Sequence, residues 1–248
     1  MPIYLLPDDL AVFPDPRRAE PDGLLAIGGG LEPARLLLAY ARGIFPWNAA
    51  DEPRMWFCPA PRMVVTLPGG LHVPRTLRKR QLRACLRITL DTDFAAVIAA
   101  CASEPRPGQD RTWITPEIGA AFTRLHGLGL AHSVEVWDGE LLVGGLYGLA
   151  IGAVFFGESM FSRQPGASKL AFVALVRQLE RWQFQLVDCQ VATEHLRGLG
   201  GRELEREEFL AALGRGVRAP GRLGPWQLDP EAAHEGFTPL DAEAPPRL

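Results

Sequence analysis

Two short runs hold the residues best suited to chemistry: Gly157-Glu158-Ser159-Met160-Phe161-Ser162 and Asp188-Cys189-Gln190. Each sets polar or acidic groups among residues that otherwise read as buried. A carboxylate taken out of water is costly unless paired, so Glu158 and Asp188 require partners. Asp188 and Gln190 stand at i and i+2 of a strand-like run, which predicts that both side chains share one face. Cys189 then points away from its neighbours, with no histidine close in sequence, and reads as an inert buried thiol.

The elements that must position these groups follow from pattern. His132 to Trp137 alternates as a strand, and Asp138-Gly139 is a two-residue hairpin signal. Leu141 to Ala150 is the return strand, with Gly144-Gly145 marking a bulge or a close backbone approach. Ile151-Gly152 is the next turn and Ala153 to Phe161 the third strand. Arg163-Gln164-Pro165-Gly166 breaks the chain. Ser168 to Trp182 has helical periodicity with Ser168 as candidate N-cap, and Phe184 to Gln190 is a last apolar strand. The break sets backbone N–H groups at a helix N-terminus beside the third strand's end, a geometry that suits an anion.

Bulk properties narrow the class. The 248 residues suffice for one large domain or two unequal ones, and the net charge of −3 does not announce a nucleic-acid partner. The four cysteines, Cys58, Cys85, Cys101 and Cys189, contain no CxxC pair. This argues against a zinc site and a disulfide framework and fits a reducing, cytoplasmic setting. Asp8, Asp9 and early prolines interrupt any signal-like apolar run, and no stretch is long enough to span a membrane. No metal or cofactor is expected.

Towards the N-terminus the chain is rich in turn residues. A helix is predicted from Pro33 to Arg42, stopped by Gly43. Phe45, Trp47 and Trp56 crowd a proline-rich region; Phe45 and Trp56 read as packing, whereas Trp47 reads equally as packing or as the wall of a pocket at a domain junction. Met63 to Leu67 and Leu86 to Leu90 read as strands, Asp93 to Cys101 and Pro116 to His126 as helices. Trp113 suits either a core plug or a stacking platform for a base. Arg75, Arg78, Lys79, Arg80 and Arg83 form the densest basic cluster of an acidic chain. A helix would align Arg75, Lys79 and Arg83 on one face, which fits either a solvated face or phosphate contact. Beyond Gln190, His195 to Gly201 is turn-rich and Glu205 to Leu213 a short helix.

Taken together, Phe45-Pro46-Trp47, Trp113-Ile114, His132-Ser133-Val134-Glu135, Val143-Gly144-Gly145-Leu146-Tyr147-Gly148, Gly157 to Ser162, Ala167-Ser168-Lys169 and Asp188-Cys189-Gln190 resemble the leucyl/phenylalanyl-tRNA–protein transferase family. The similarity runs in order over roughly residues 10 to 213. It implies an α+β protein with an acetyltransferase-like mixed sheet. The expected organisation is a small N-terminal α/β domain (1–61), a catalytic domain (62–214) and a loosely ordered tail (215–248). The family moves leucine or phenylalanine from charged tRNA to the N-terminal Arg or Lys of a protein, marking it for degradation; the apolar lining extends the expected donors to methionine.

By resemblance, Asp188 and Gln190 form a catalytic relay, with the carboxylate bonded to the carboxamide. Trp47, Trp113, Leu146, Phe155, Glu158, Met160, Ser162 and Val187 line the aminoacyl-adenosine site. The cluster Arg75, Arg78, Lys79, Arg80 and Arg83 holds tRNA phosphates. Two other classes compete. Arg163-x-x-Gly166-x-Ser168 nearly matches the pyrophosphate loop of CoA-dependent N-acetyltransferases, with Ser in the last place. A non-catalytic RNA- or peptide-binding module is the second, and it would not need Asp188 with Gln190.

Overall fold

The computed structural model describes residues 3–48, 52–77, 86–104 and 112–234. Its architecture is mixed α/β with two sheets. The smaller has the order β1-β2-β4-β3, from Tyr4–Leu6, Leu24–Gly28, Met55–Phe57 (β4) and Phe45–Pro46 (β3). Helix α1, Pro33–Ala41, begins on the proline expected there and ends before Gly43, whose φ of 77° only glycine adopts easily.

The larger sheet has the order β11-β5-β10-β9-β8-β7-β6. Its strands are β5 (Arg62–Thr66), β6 (Arg87–Leu90), β7 (Ala131–Asp138), β8 (Leu141–Ile151), β9 (Val154–Ser162), β10 (Leu186–Gln190) and β11 (Arg202–Leu204). The β7–β8–β9 meander is the one the pattern predicts, but each turn falls one residue later. Asp138 pairs with Leu141 and Ile151 with Val154, so Gly139 and Gly152 open the loops, at φ 58° and 57°. A two-residue loop that matches strand twist needs positive φ there, and glycine supplies it.

Helix α2 (Phe94–Ser103) is capped by the Asp93 carboxylate on Ala96 N–H, and α3 (Pro116–Gly127) by the Thr115 hydroxyl on Ile118 N–H. Helix α4 (Ala167–Arg181) is capped at Gly166, with φ 84°, and not at Ser168, whose N–H instead reaches Ser162 Oγ. Helices α5 (Glu194–Arg197), α6 (Arg206–Gly216) and α7 (Pro230–His234) complete the chain.

The large sheet separates two cores. On one side Tyr40, Phe122, Tyr147, Phe156 and Phe209 pack with the N-terminal elements. On the other, α4 buries Leu170, Phe172, Val173 and Leu179 against Leu146, Phe155 and Val187. Gly144 and Gly145 mark both a bulge and close approaches. Against β7, Val143 is an extra residue between the pairs Val136↔Gly144 and Trp137↔Leu142. A Cβ at Gly144 would lie 2.4 Å from the Ala167 Cβ, and one at Gly145 2.6 Å from the Val134 carbonyl. A second register shift comes later, against β9, between Tyr147 and Gly148.

The tail departs from expectation. Composition reads residues 215 onward as loosely ordered, yet Trp226 and Ala232 are fully buried and Asp229 bonds reciprocally with Gln178. Single side chains dock this segment, and single side chains leave no periodicity to read. Residues 235–248 lie outside the described residues.

Replacing Gly144 with Ala forces α4 off the sheet and should cost about 1–3 kcal/mol. The urea midpoint should fall with an unchanged m-value; an unchanged midpoint would show that the helix has room to move.

Candidate active site

Strands β9 and β10 form a parallel pair in the large sheet, and they pair only briefly. Leu186 faces Val154, Val187 faces Phe155 and Asp188 faces Phe156; beyond these the ladder stops. Both strands are irregular where they part. Glu158 is the extra residue of a bulge in β9, between pairs Gly148↔Gly157 and Tyr147↔Ser159. Cys189 is the extra residue of a bulge in β10, and Gln190 has φ 62°. A non-glycine residue in the left-handed region costs about 1 kcal/mol or more, so the surroundings must hold it.

Asp188 does the holding. Its carboxylate is fully buried and takes two parallel hydrogen bonds from Arg62, Nε to Oδ1 and Nη2 to Oδ2, both 2.8 Å. Oδ1 also accepts the Gln190 N–H at 2.9 Å. Arg62 lies 4.7 Å from the ring centroids of both Phe45 and Phe209. A planar guanidinium suits this double task, forking onto a carboxylate while stacking between rings.

The expected relay is therefore wired differently. Strand alternation placed Asp188 and Gln190 side by side, with the carboxylate on the carboxamide. The bulge breaks that alternation, so Asp188 grips the main chain of Gln190. The Gln190 carboxamide crosses to the other strand, where Nε2 donates to Glu158 Oε1 at 2.8 Å. Arg62 has no local signature in the sequence; a basic residue opening an apolar strand was the one available hint.

Glu158 contrasts with Asp188, for among the described residues it has no salt bridge and accepts instead from the Gln190 amide. Burial is the main cause that pushes its carboxyl up to about 8, and the nearby Asp188 charge adds to the rise. The Tyr40 hydroxyl is close enough to oppose the rise, yet Tyr40 Oη and Glu158 Oε2 stop short of hydrogen-bond geometry. Near neutral pH Glu158 is thus mostly a neutral acid. Cys189 is half-buried, and burial raises its thiol above its ordinary range, which leaves little thiolate near neutral pH.

The other expected site residues fall into separate groups. Leu146, Phe155 and Val187 lie in the core under α4, on the sheet face opposite Asp188, and are 3%, 1% and 0% exposed. The open slot expected from them is closed by packing; Met160, half-buried at its edge, is the member that reaches the surface. Ser162 is exposed, its hydroxyl donating to the Gln164 carbonyl. Trp113 is half-buried against the core that contains Tyr40. Trp47 is 43% exposed, edge-on to Phe57 at 5.7 Å, whereas Phe45 and Trp56 are buried packing as expected. Arg75 is exposed, and Arg78, Lys79, Arg80 and Arg83 lie outside the described residues. One groove among the N-terminal elements, around Tyr4 and Phe13, and another between Arg17 and Leu213 of α6 contain none of these residues. Among the described residues no His, Cys, Asp and Glu cluster could hold a metal ion, and no helix is long and apolar enough to cross a membrane.

Comparison with known proteins supplies the class: the chain is an aminoacyltransferase. Residues 65–214 match the family described as leucyl/phenylalanyl-tRNA protein transferase, and residues 29–60 match that family's N-terminal domain. A protein of Anaeromyxobacter dehalogenans (strain 2CP-C), named leucyl/phenylalanyl-tRNA–protein transferase, is 56% identical over 229 residues, which is 92% of this chain and 97% of the relative. Relatives of the same name from Nitratidesulfovibrio vulgaris (strain DP4) and Myxococcus xanthus (strain DK1622) are 54% and 51% identical, over 92% and 91% of this chain and 97% of each relative. The chain belongs to the leucyl/phenylalanyl-tRNA protein transferase family. Among solved structures, L-PGS from Bacillus licheniformis matches with a TM-score of 0.38 and 10% identity, over 68% of this chain and 53% of its own. That likeness is too distant to carry an argument.

The raised pKa of Glu158 has a defined sign. Its folded value, about 8, lies above the ordinary 4.5, so its contribution to stability is complete below 4.5 and is lost as pH rises through about 8. Glu158→Gln keeps the shape and cannot ionise. Thermal unfolding across that window should show the wild type losing stability relative to the variant as pH rises; parallel curves would mean that Glu158 ionises freely.

Proposed function

We propose that the enzyme carries leucine or phenylalanine, with methionine as a further donor, from the 3′-terminal ribose of a charged tRNA to the α-amine of a protein beginning with Arg or Lys. The observation that carries this reading is the Glu158–Gln190 contact, which spans the parting of β9 and β10 and is held from behind by Arg62 and Asp188. The acetyltransferase-like fold of residues 62–214, with 1–61 as a separate N-terminal unit, belongs to the same reading.

The reaction is aminolysis of an ester. A nitrogen–carbon bond forms, the bond to the ribose oxygen breaks, and a proton passes from the amine to that oxygen. An α-amine has a pKa near 8, so roughly a tenth or more is neutral at neutral pH. The ester is already activated, and holding the two reactants in line supplies much of the acceleration. Gln190 is suited to orient the amine. One of its two Nε2–H donors is spent on Glu158, which fixes the carboxamide so that its carbonyl oxygen can accept an N–H from the nucleophile. In this reading Asp188 serves through the Gln190 backbone, since Arg62 occupies both of its oxygens.

The donor side chain would enter past Met160 and displace packing at Leu146, Phe155 and Val187. Such a pocket discriminates by shape, and a methylene is worth only about 1–3 kcal/mol there, so β-branched residues must be rejected by clash. Trp47, Trp113 and Ser162 would meet the adenosine. Arg75, Arg78, Lys79, Arg80 and Arg83 would hold tRNA phosphates without reading sequence. The CoA reading is displaced by the family match, which spans the Arg163–Ser168 loop. Arg163 there is spent on Glu104 and the Leu142 carbonyl.

Incubation with labelled Leu-tRNA and a peptide beginning with Arg should lengthen the peptide by one leucine. Gln190→Ala should lower kcat at least about a hundredfold with little change in donor affinity, on the scale of losing one positioned polar group. Asp188→Ala should do the same if the fold survives. Equal loss of binding would make the pair structural, and no transfer by the wild type would end the proposal.

A further inference from the structure

We infer that the segment 222–234 forms the back wall of the donor slot, with Trp226 setting its depth through Phe155; this rests on the slot reading above. The family match ends at residue 214, so Trp226 lies beyond it. Its indole is 1% exposed and stacks on His132, with centroids 3.5 Å apart and planes 4° from parallel. Trp182 meets it edge-on at 5.0 Å, Phe184 edge-on at 5.9 Å and Phe155 tilted at 6.1 Å. Phe155 in turn lies between Ala150 and Val187 in the sheet. Trp226 thus stands against a slot residue and acts through it.

The segment is anchored along its length. The Trp226 N–H donates to Asp91 Oδ2 at 2.8 Å, and the same oxygen bonds His132 Nδ1 at 2.8 Å. The indole Nε1 donates to the Arg222 carbonyl, and the Arg222 guanidinium lies 4.3 Å from the Trp182 ring centroid. Gln178 of α4 exchanges two hydrogen bonds with Asp229, and Arg181 pairs with Glu231 at 2.8 Å. A wall held at so many points does not yield when a ligand presses on it. A donor side chain entering the closed slot must move Phe155, and Phe155 can retreat only as far as the indole allows. That limit favours leucine over bulkier donors; a smaller wall relaxes it.

The test uses the full chain with Trp226→Leu and Trp226→Phe, and compares kcat/KM for Phe-tRNA and Leu-tRNA against one Arg-initiated peptide. Trp226→Leu should raise the Phe-to-Leu ratio at least about fivefold, within what pocket volume can deliver, while the peptide KM stays unchanged. Trp226→Phe should move the ratio the same way by less, and it serves alone if the leucine variant fails to fold. An equal loss for both donors with the ratio unchanged would make Trp226 merely structural and overturn the inference. A wild type that transfers neither donor would instead sink the slot reading beneath it.

Discussion

The ion pair between Arg62 and Asp188 is the constraint on which the site depends. Both side chains are almost wholly excluded from water, at 1% and 0% exposure. Taking two charges out of water costs several kcal/mol per ion, so only excellent geometry sustains such a pair. Here two parallel bonds of 2.8 Å and two flanking rings provide it. Phe45 comes from the N-terminal sheet and Phe209 from α6, so the pair also ties three parts of the chain together. Its outcome is local: with Asp188 fixed, the backbone N–H of Gln190 has one acceptor, and its left-handed conformation is secured.

Two acids then take opposite roles a few residues apart in space. Asp188 has a cation and serves as a strut. Glu158 has none among the described residues, and burial moves it towards neutrality. Gln190 links the two acids, its backbone N–H bonded to Asp188 and its side-chain amide to Glu158 on the neighbouring strand. Polarity is thereby placed where β9 and β10 separate, while the sheet keeps its apolar residues on the far side.

Much of this arrangement was legible in the sequence. Gly139 and Gly152 marked the meander, Asp93 and Pro116 marked helix starts, and the acid and amide runs fall where β9 and β10 part. What escaped detection depends on contacts between distant residues. Arg62 and Asp188 lie 126 positions apart, and no local pattern joins them. The relay was misjudged because a period of two assumes an unbroken strand, and the extra residue at Cys189 breaks it. The slot read as open because its residue types suit a ligand; the same types pack equally well against one another. Trp226 was missed because a segment rich in Pro and Gly gives no repeat, although one aromatic side chain is enough to anchor it.

The most direct test of the account is a crystal structure with leucine joined to the 3′-position of adenosine through a stable amide. The account predicts the ligand carbonyl at the parting of β9 and β10, within hydrogen-bond reach of the Gln190 carboxamide, and the leucine side chain against Phe155 with the Arg62–Asp188 pair intact. A ligand bound elsewhere, with the Glu158–Gln190 contact and the Phe155 packing undisturbed, would contradict it.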